Sequence, residues 1–168
     1  MRHIVSILLE NQTGALSRVV GLFSQRGYNI ETITAAPTED PSITRITITL
    51  FGDGRTIEKI TKQLHKLINV IKVSILNEDN TDGAVEREIL FVKLQAVNQD
   101  VREEIKFICD IFGAEIVDIT PVLVTVQFVN TSQEVDRFQK AIAEHSEVIE
   151  TVRSGVCGIA RGDHSLHV

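Results

Sequence analysis

Cysteine, proline and aromatic residues are scarce in this chain of 168 residues. Cysteine occurs only at Cys109 and Cys157. Two cysteines cannot build a disulfide framework, and their separation excludes the CxxC spacing of redox and zinc motifs. A reducing cytoplasm is the expected setting. Proline occurs only at Pro37, Pro41 and Pro121. Aromatics make up 5% of the residues, so the single tyrosine, Tyr28, is expected to pack rather than to stack on a ligand. No apolar run approaches the roughly 20 residues of a membrane helix. Met1-Arg2-His3-Ile4 lacks the basic-then-apolar layout of a secretory signal, so no membrane partner is expected.

Positive charge is also in deficit. The net charge is −6 and the pI about 5.4, which argues against a general nucleic-acid binder. The deficit is uneven: residues 1–80 carry nine Lys/Arg and eight Asp/Glu, residues 81–168 eight and fifteen. A neutral first half suits a small zwitterion. Catalytic signatures are missing as well: no G-x-S-x-G, no Walker loop, no G-x-G-x-x-G. The histidines His3, His65 and His145 stand apart from other ligands, and His164 and His167 fall in the tail. Cys109 lies on an apolar helix face and Cys157 in a glycine-rich stretch, both expected to be inert. Glu103/Glu104 and Glu39/Asp40 occupy solvated positions. No catalytic constellation and no metal site are expected.

What is present is one pattern written twice. Ile4–Leu9 has the near-continuous apolar character of a central strand. Leu16, Val19, Val20 and Phe23 recur at helical spacing, and Arg26-Gly27 closes that helix. Asn29–Ala36 is strand-like. Pro37 and Pro41 bracket an acidic turn. In Thr44–Phe51, Ile46, Ile48 and Leu50 alternate with Thr47 and Thr49. After the turn Gly52-Asp53-Gly54, a second helix carries Ile57, Ile60, Leu64, Leu67 and Ile68, and Val70–Ile75 completes βαββαβ. Asn77–Gly83 is polar and turn-rich, the expected linker.

The order then repeats. Ile89–Ala96 is a strand. Val101, Ile105, Ile108, Cys109 and Phe112 mark a helix opened by Asp100 with Glu103. Ala114–Ile119 and Leu123–Val129 are strands, Thr131 and Glu134 open a helix through Val135, Phe138 and Ile142, and Val148–Val152 ends the unit. Gly27-Tyr28-Asn29-Ile30 parallels Gly113-Ala114-Glu115-Ile116. The expected class is therefore α+β, two tandem ferredoxin-like βαββαβ domains over 1–76 and 84–168, joined by 77–83. Two helices cover only one face of a four-stranded sheet, so the open faces and edges call for the sister domain or a second copy, with a homodimer as the default.

The distinctive segment is the first strand-to-helix turn, Glu10-Asn11-Gln12-Thr13-Gly14-Ala15-Leu16. Helix N-termini present unpaired N–H groups that attract a carboxylate, and Gly14 lets a ligand approach the backbone. Asn11 offers donor and acceptor together. The alternative is that Asn11 and Thr13 merely cap the helix and Gly14 turns the chain. Asn29, a poor strand former at a strand start, is either a turn amide or a ligand contact beside an apolar wall at Ile30.

The run Glu10–Ile30 resembles the first half of an ACT domain. It is most similar to the family of small regulatory subunits of bacterial acetolactate synthase (acetohydroxyacid synthase). Ala36-Pro37-Thr38, Lys62–Leu67, Val85–Glu88 and Arg153–Gly162 extend the resemblance over nearly the whole chain. It implies that the N-terminal domain is an ACT domain. Such domains pair through edge strands and bind an amino acid between the first turn of one chain and the second strand of the other. Asn11, Gly14, Ala15 and Leu16 would meet the ligand from one chain, Asn29 and Ile30 from its partner. The implied effector is valine, the end product of branched-chain amino-acid synthesis. The implied partner is a separate catalytic subunit that holds thiamine diphosphate, Mg²⁺ and FAD, with no cofactor on this chain. Ala15 stands where the family commonly has Val and Thr32 where it has Ser. An enlarged pocket makes leucine and isoleucine competitors, since one methylene separates ligands by only about 1–3 kcal/mol.

Other uses of the fold fare worse. An acylphosphatase-like hydrolase needs an arginine in the first loop, which Glu10–Gly14 lacks. An RNA-binding module needs aromatics on its central strands, where only Phe51 stands, at a strand end. A metal chaperone needs CxxC. An amino-acid sensor serving a different enzyme or a transcription factor remains the runner-up.

Overall fold

The computed structural model describes residues 1–76 and 83–168. Most of the expected linker, Asn77–Asp82, lies outside the described residues; Gly83 lies within them, at φ 68°.

β1 (Arg2–Glu10) is buried on both faces from His3 to Leu9, which is why its sequence barely alternates. α1 (Ala15–Gln25) runs back over the sheet to β2 (Ile30–Pro37) and β3 (Ile43–Phe51). α2 (Gly54–Leu64) leads to β4 (Val70–Ile75). The sheet order is β2-β3-β1-β4, all neighbours antiparallel, with β2 at an edge. Val5, Ile7, Leu9, Ile46, Ile48 and Leu50 form the sheet side of the core. From the helices, Ala15, Val19, Phe23, Ile57, Ile60 and Leu64 close it. The α1 face is thus rotated from the expected one: Ala15 is inside and Leu16 is 44% exposed. α2 also ends earlier than its periodicity suggests, leaving Ile68 exposed beyond it.

The second unit repeats the first. β5 (Ala84–Gln95), α3 (Gln99–Phe112), β6 (Glu115–Ile119), β7 (Leu123–Asn130), α4 (Ser132–Ala143) and β8 (Val148–Arg153) follow in order, and the sheet runs β6-β7-β5-β8. Even the irregularities recur. β2 slips against β3 between Ile30 and Thr32, and β6 slips against β7 between Ile116 and Asp118. β1 slips against β4 at Leu8/Leu9, and β5 against β8 at Lys93/Leu94. Bulges re-aim side chains and are kept as features of a fold. Phe112, Phe128 and Phe138 meet in the second core, with centroids 4.7–6.1 Å apart. The α3 cap is Asn98, whose side chain accepts from Val101 N–H, rather than Asp100 with Glu103. Asn98 is the residue with extended backbone, the geometry an N-cap requires.

The tail departs most from expectation. The compact units are Met1–Glu86 with Val156–Val168, and Arg87–Gly155, so the last residues belong to the first unit. A short unexpected strand, β9 (Cys157–Ala160), pairs with β5. Val156 is buried with Ile4 and Leu76 on the sheet face opposite the helices. Its N–H donates to Thr32 Oγ1, its carbonyl accepts from Thr34 Oγ1 at 3.1 Å, and Arg45 reaches Gly158 O at 3.0 Å. Packing is close there: a Cβ on Gly158 would come within 3.1 Å of the Leu76 side chain, which would have to give way slightly. This strap adds cover to a face that two helices could not reach, and Ser6, Thr47 and Thr49 on that face are buried.

Candidate functional site

The first turn of the first unit is built from backbone. Gly14 sits at the N-cap of α1 with φ 84°, a conformation that costs a side-chain-bearing residue about 1 kcal/mol or more. No side chain caps α1. Ala15 N–H bonds back to Gln12 O, and Arg18 N–H to Gly14 O. The amides of Leu16 and Ser17 therefore open outward without an acceptor among the described residues. An ideal Cβ on Gly14 would lie 3.9 Å from the Arg18 guanidinium, so an anion approaching this turn meets both the helix end and a cation.

A polar lattice holds the turn in place. Asn69 is buried and accepts from Arg18 Nη1 through Oδ1. Its Nδ2 donates to Glu10 Oε2 at 3.1 Å and Gln12 Oε1 at 3.4 Å, and its carbonyl accepts from Glu10 N–H at 2.9 Å. Sequence reasoning missed both Asn69 and Arg18. The signal for Asn69 is an isolated amide between Ile68 and Val70, where the helical period gives way to a strand.

The expected site residues fall into two groups. Asn11 is exposed, and its N–H and Nδ2 donate to Ser42 O at 2.7 Å and Pro41 O at 2.9 Å, leaving Oδ1 as an acceptor at the turn. It therefore ties the turn to the β2–β3 connection rather than capping α1. Gly14 and Leu16 lie at the surface beside it, while the Ala15 side chain is in the core and reaches nothing outside. Asn29 is exposed just before β2, and Ile30 packs partly on the core.

Within one chain these groups do not meet. Ile30 pairs with Leu50, which pairs with His3, whereas Glu10 pairs with Ile43 at the other end of the sheet. Seven residues of strand separate the two levels, roughly 24 Å at about 3.4 Å per residue. A second copy paired through β2 would change this. Antiparallel pairing of two β2 edges puts the Ile30 end of one strand beside the Pro37 end of the other, and Pro37 is at the level of Thr44 and Leu9. In such a pairing, Asn29 and Ile30 of the second copy would stand at the sheet end that carries Asn11 and Gly14.

Neither cysteine lies at this turn. The Cys109 thiol is pushed up to about 11, first by burial and then by the adjacent Asp110 charge, and Cys157 is exposed. Among the described residues no three His, Cys, Asp or Glu gather as a metal would need, and no helix is long and apolar enough to cross a membrane.

Comparisons with known proteins show the family. A family model described as the AHAS small subunit-like ACT domain matches residues 5–72, and one described as the small subunit of acetolactate synthase matches 87–162. The acetolactate synthase isozyme 3 small subunit of Salmonella typhimurium is 52% identical over 97% of this chain and 98% of its own. The acetolactate synthase small subunit of Haemophilus influenzae is 49% identical over 99% of both. The crystal structure of the Thermotoga maritima small subunit superposes with a TM-score of 0.87 at 30% identity, covering 98% of this chain and 99% of that one.

Proposed function

The chain belongs to the acetolactate synthase small-subunit family, and we propose that it is the regulatory partner that activates the catalytic subunit and makes it sensitive to valine. Membership in the family implies a catalytic subunit as partner. On this reading the chain works in the cytoplasm, in branched-chain amino-acid synthesis, as a homodimer paired through β2. Thiamine diphosphate, Mg²⁺ and FAD reside on the catalytic subunit, and no residue of this chain performs a chemical step.

The observation that carries the reading is the split site. An uncapped helix end at Gly14, flanked by Arg18, suits the carboxylate of an amino acid. Asn11 Oδ1 and the free amide of Asn29 suit its ammonium and carboxylate. Ile30 supplies the apolar wall. Because the halves stand at opposite ends of one sheet, the effector binds only where two chains meet. Its occupancy therefore reports on the geometry of the dimer. It can shift the holoenzyme only by its different affinities for two such geometries.

Calorimetry with valine, leucine, isoleucine and threonine, together with reconstitution with the catalytic subunit, tests this. Valine should bind at one or fewer per chain. Asn11→Ala and Asn29→Ala should remove inhibition while leaving activation largely intact. Both variants remaining fully valine-sensitive would show the site to be misplaced.

A further inference from the structure

The helical layer of the first unit carries the wrong charge for this molecule. In a chain of net charge −6, α1, its C-cap, α2 and the residue just past the α2 C-cap expose Arg18, Arg26, Arg55, Lys59, Lys62 and Lys66. Against these stand Glu58 and the N-cap Asp53. Glu58 is taken up by Lys62, four residues on. Asp53 accepts from Thr56 N–H, which together with the nearby Lys59 holds its carboxyl below the usual range. The remaining cations have no carboxylate of their own among the described residues. Arg18 donates to the neutral Asn69 and Arg26 to the neutral Gln63. Elsewhere several arginines are neutralised, Arg2 by Glu86, Arg137 by Glu134, and Arg153 by Glu88 and Asp136, while Arg45 and Arg102 donate to hydroxyl and carbonyl oxygens.

The charge borders a groove. Between α1 and the segment that follows α2 lies an open depression of about 470 Å³, lined by Arg18, Gly21, Leu22, Arg26, Gln63 and Leu67 among others. Arg18, Leu22 and Arg26 form one i, i+4, i+8 stripe on α1, which sets the two guanidinium-bearing positions roughly 12 Å apart along the helix. Gly21 leaves the middle of the wall open, with nothing within 4 Å of where its Cβ would be. An apolar floor between two cations fits a segment that presents acidic side chains at that spacing and an apolar one between them.

We propose that this groove and the basic helices around it are the surface on which an acidic segment of the acetolactate synthase catalytic subunit docks. A protein is favoured over a nucleic acid because α1 and α2 expose no aromatic to stack a base, and the rest of the chain is acidic. The proposal rests on the family's partner subunit and not on valine. Arg18 is shared with the effector turn, so the test leaves it intact.

The experiment is sedimentation or interferometry of the full-length chain with its own catalytic subunit. Arg26→Glu/Lys66→Glu should weaken association by about tenfold or more, while Arg26→Lys/Lys66→Arg stays within about twofold. Association of the unaltered chain should weaken as KCl rises from about 50 to about 500 mM. Valine binding should be unchanged in both variants, which a general loss of structure would not allow. Charge reversal that leaves association at the unaltered strength would overturn the surface. So would salt-insensitive association, or a duplex oligonucleotide that binds the unaltered chain and loses it on reversal while the subunit still binds. Association that depends on these charges without any activation would support the docking surface and sink the activator role instead.

Discussion

The first helices of the two units begin in opposite ways on the same ladder. α3 is closed by its own cap: Asn98 accepts from Val101 N–H at 3.0 Å. α1 has Gly14 at that place and no side-chain cap. The helical layers differ too: α1 and α2 are basic, while α3 and α4 carry Asp100, Glu103, Glu104, Asp110, Glu134 and Asp136 against Arg102, Lys106, Arg137 and Lys140. Apolar surface is distributed the other way, with Phe107, Ile111, Val117 and Ile119 exposed on α3 and β6 of the second unit, where α1 and β2 expose Leu16 and Ile33. Strand order and bulges are common to both units. A duplicated fold thus keeps its backbone irregularities and lets its surfaces diverge, so function has to be read from the differences.

One difference is a buried charge. Glu88 is 1% exposed at the start of the second sheet, and Arg153 holds it with two bonds of 3.0 and 2.7 Å while also reaching Asp136. Carboxylates on both sides raise the Arg153 pKa further above its ordinary range. Arg153→Met leaves the buried Glu88 carboxylate with the Ser132 hydroxyl as donor but no counter-charge, and should cost about 3 kcal/mol, the low end for a broken buried pair because Arg153 is partly solvated. Urea denaturation should show the loss in the second unit, with Glu88→Gln/Arg153→Met recovering part of it. A cost below about 1 kcal/mol would mean that water already reaches Glu88.

The corresponding stake in the first unit is the strap. Val156→Ala removes a side chain that is 1% exposed against Ile4 and Leu76. The expected cost is about 2 kcal/mol, from two buried carbons and the space they leave. Hydrogen exchange should speed up at β1 and β2 and not at β6 and β7. Faster exchange confined to the second unit would mean that the tail belongs with Arg87–Gly155.

The repeat was legible because β3 alternates strictly, Ile46, Ile48 and Leu50 leaving no second reading, and because Gly27 and Gly113 punctuate both copies alike. The strap was not. Cys157–Ala160 is too short for a period, and its partners Thr32, Thr34 and Arg45 lie more than a hundred residues away in sequence. Helical spacing identified an apolar face on α1 but not its phase, because Ala15 and Leu16 both satisfy it and only packing chooses. The cap of α3 was ambiguous for a similar reason: Asn98 and Asp100 both offer a side-chain oxygen. Asn11, Gly14 and Asn29 were visible as unusual residues and became a site through family resemblance. The resemblance implied that they come from two chains, and the register adds that within one chain they stand at opposite ends of the sheet.

Exchanging the two helix starts sharpens the comparison at the smallest scale. Gly14→Asn is compatible with φ 84°, since Asn is the side chain that best tolerates that region, and its Cβ would keep an ordinary 3.9 Å contact with Arg18. Its amide would occupy the approach to the open Leu16 and Ser17 N–H groups. Valine inhibition should weaken by about tenfold, or about 1.4 kcal/mol, with activation retained. Asn98→Gly opens the second helix instead, at a cost of only a few tenths of a kcal/mol, and should leave the valine response where it was. An open helix end alone is not sufficient, because the proposed site also needs Asn29 and Ile30 of a paired copy. If Gly14→Asn inhibits as the unaltered chain does, the effector carboxylate does not sit at this helix end, and the contrast between the two caps is a matter of folding alone.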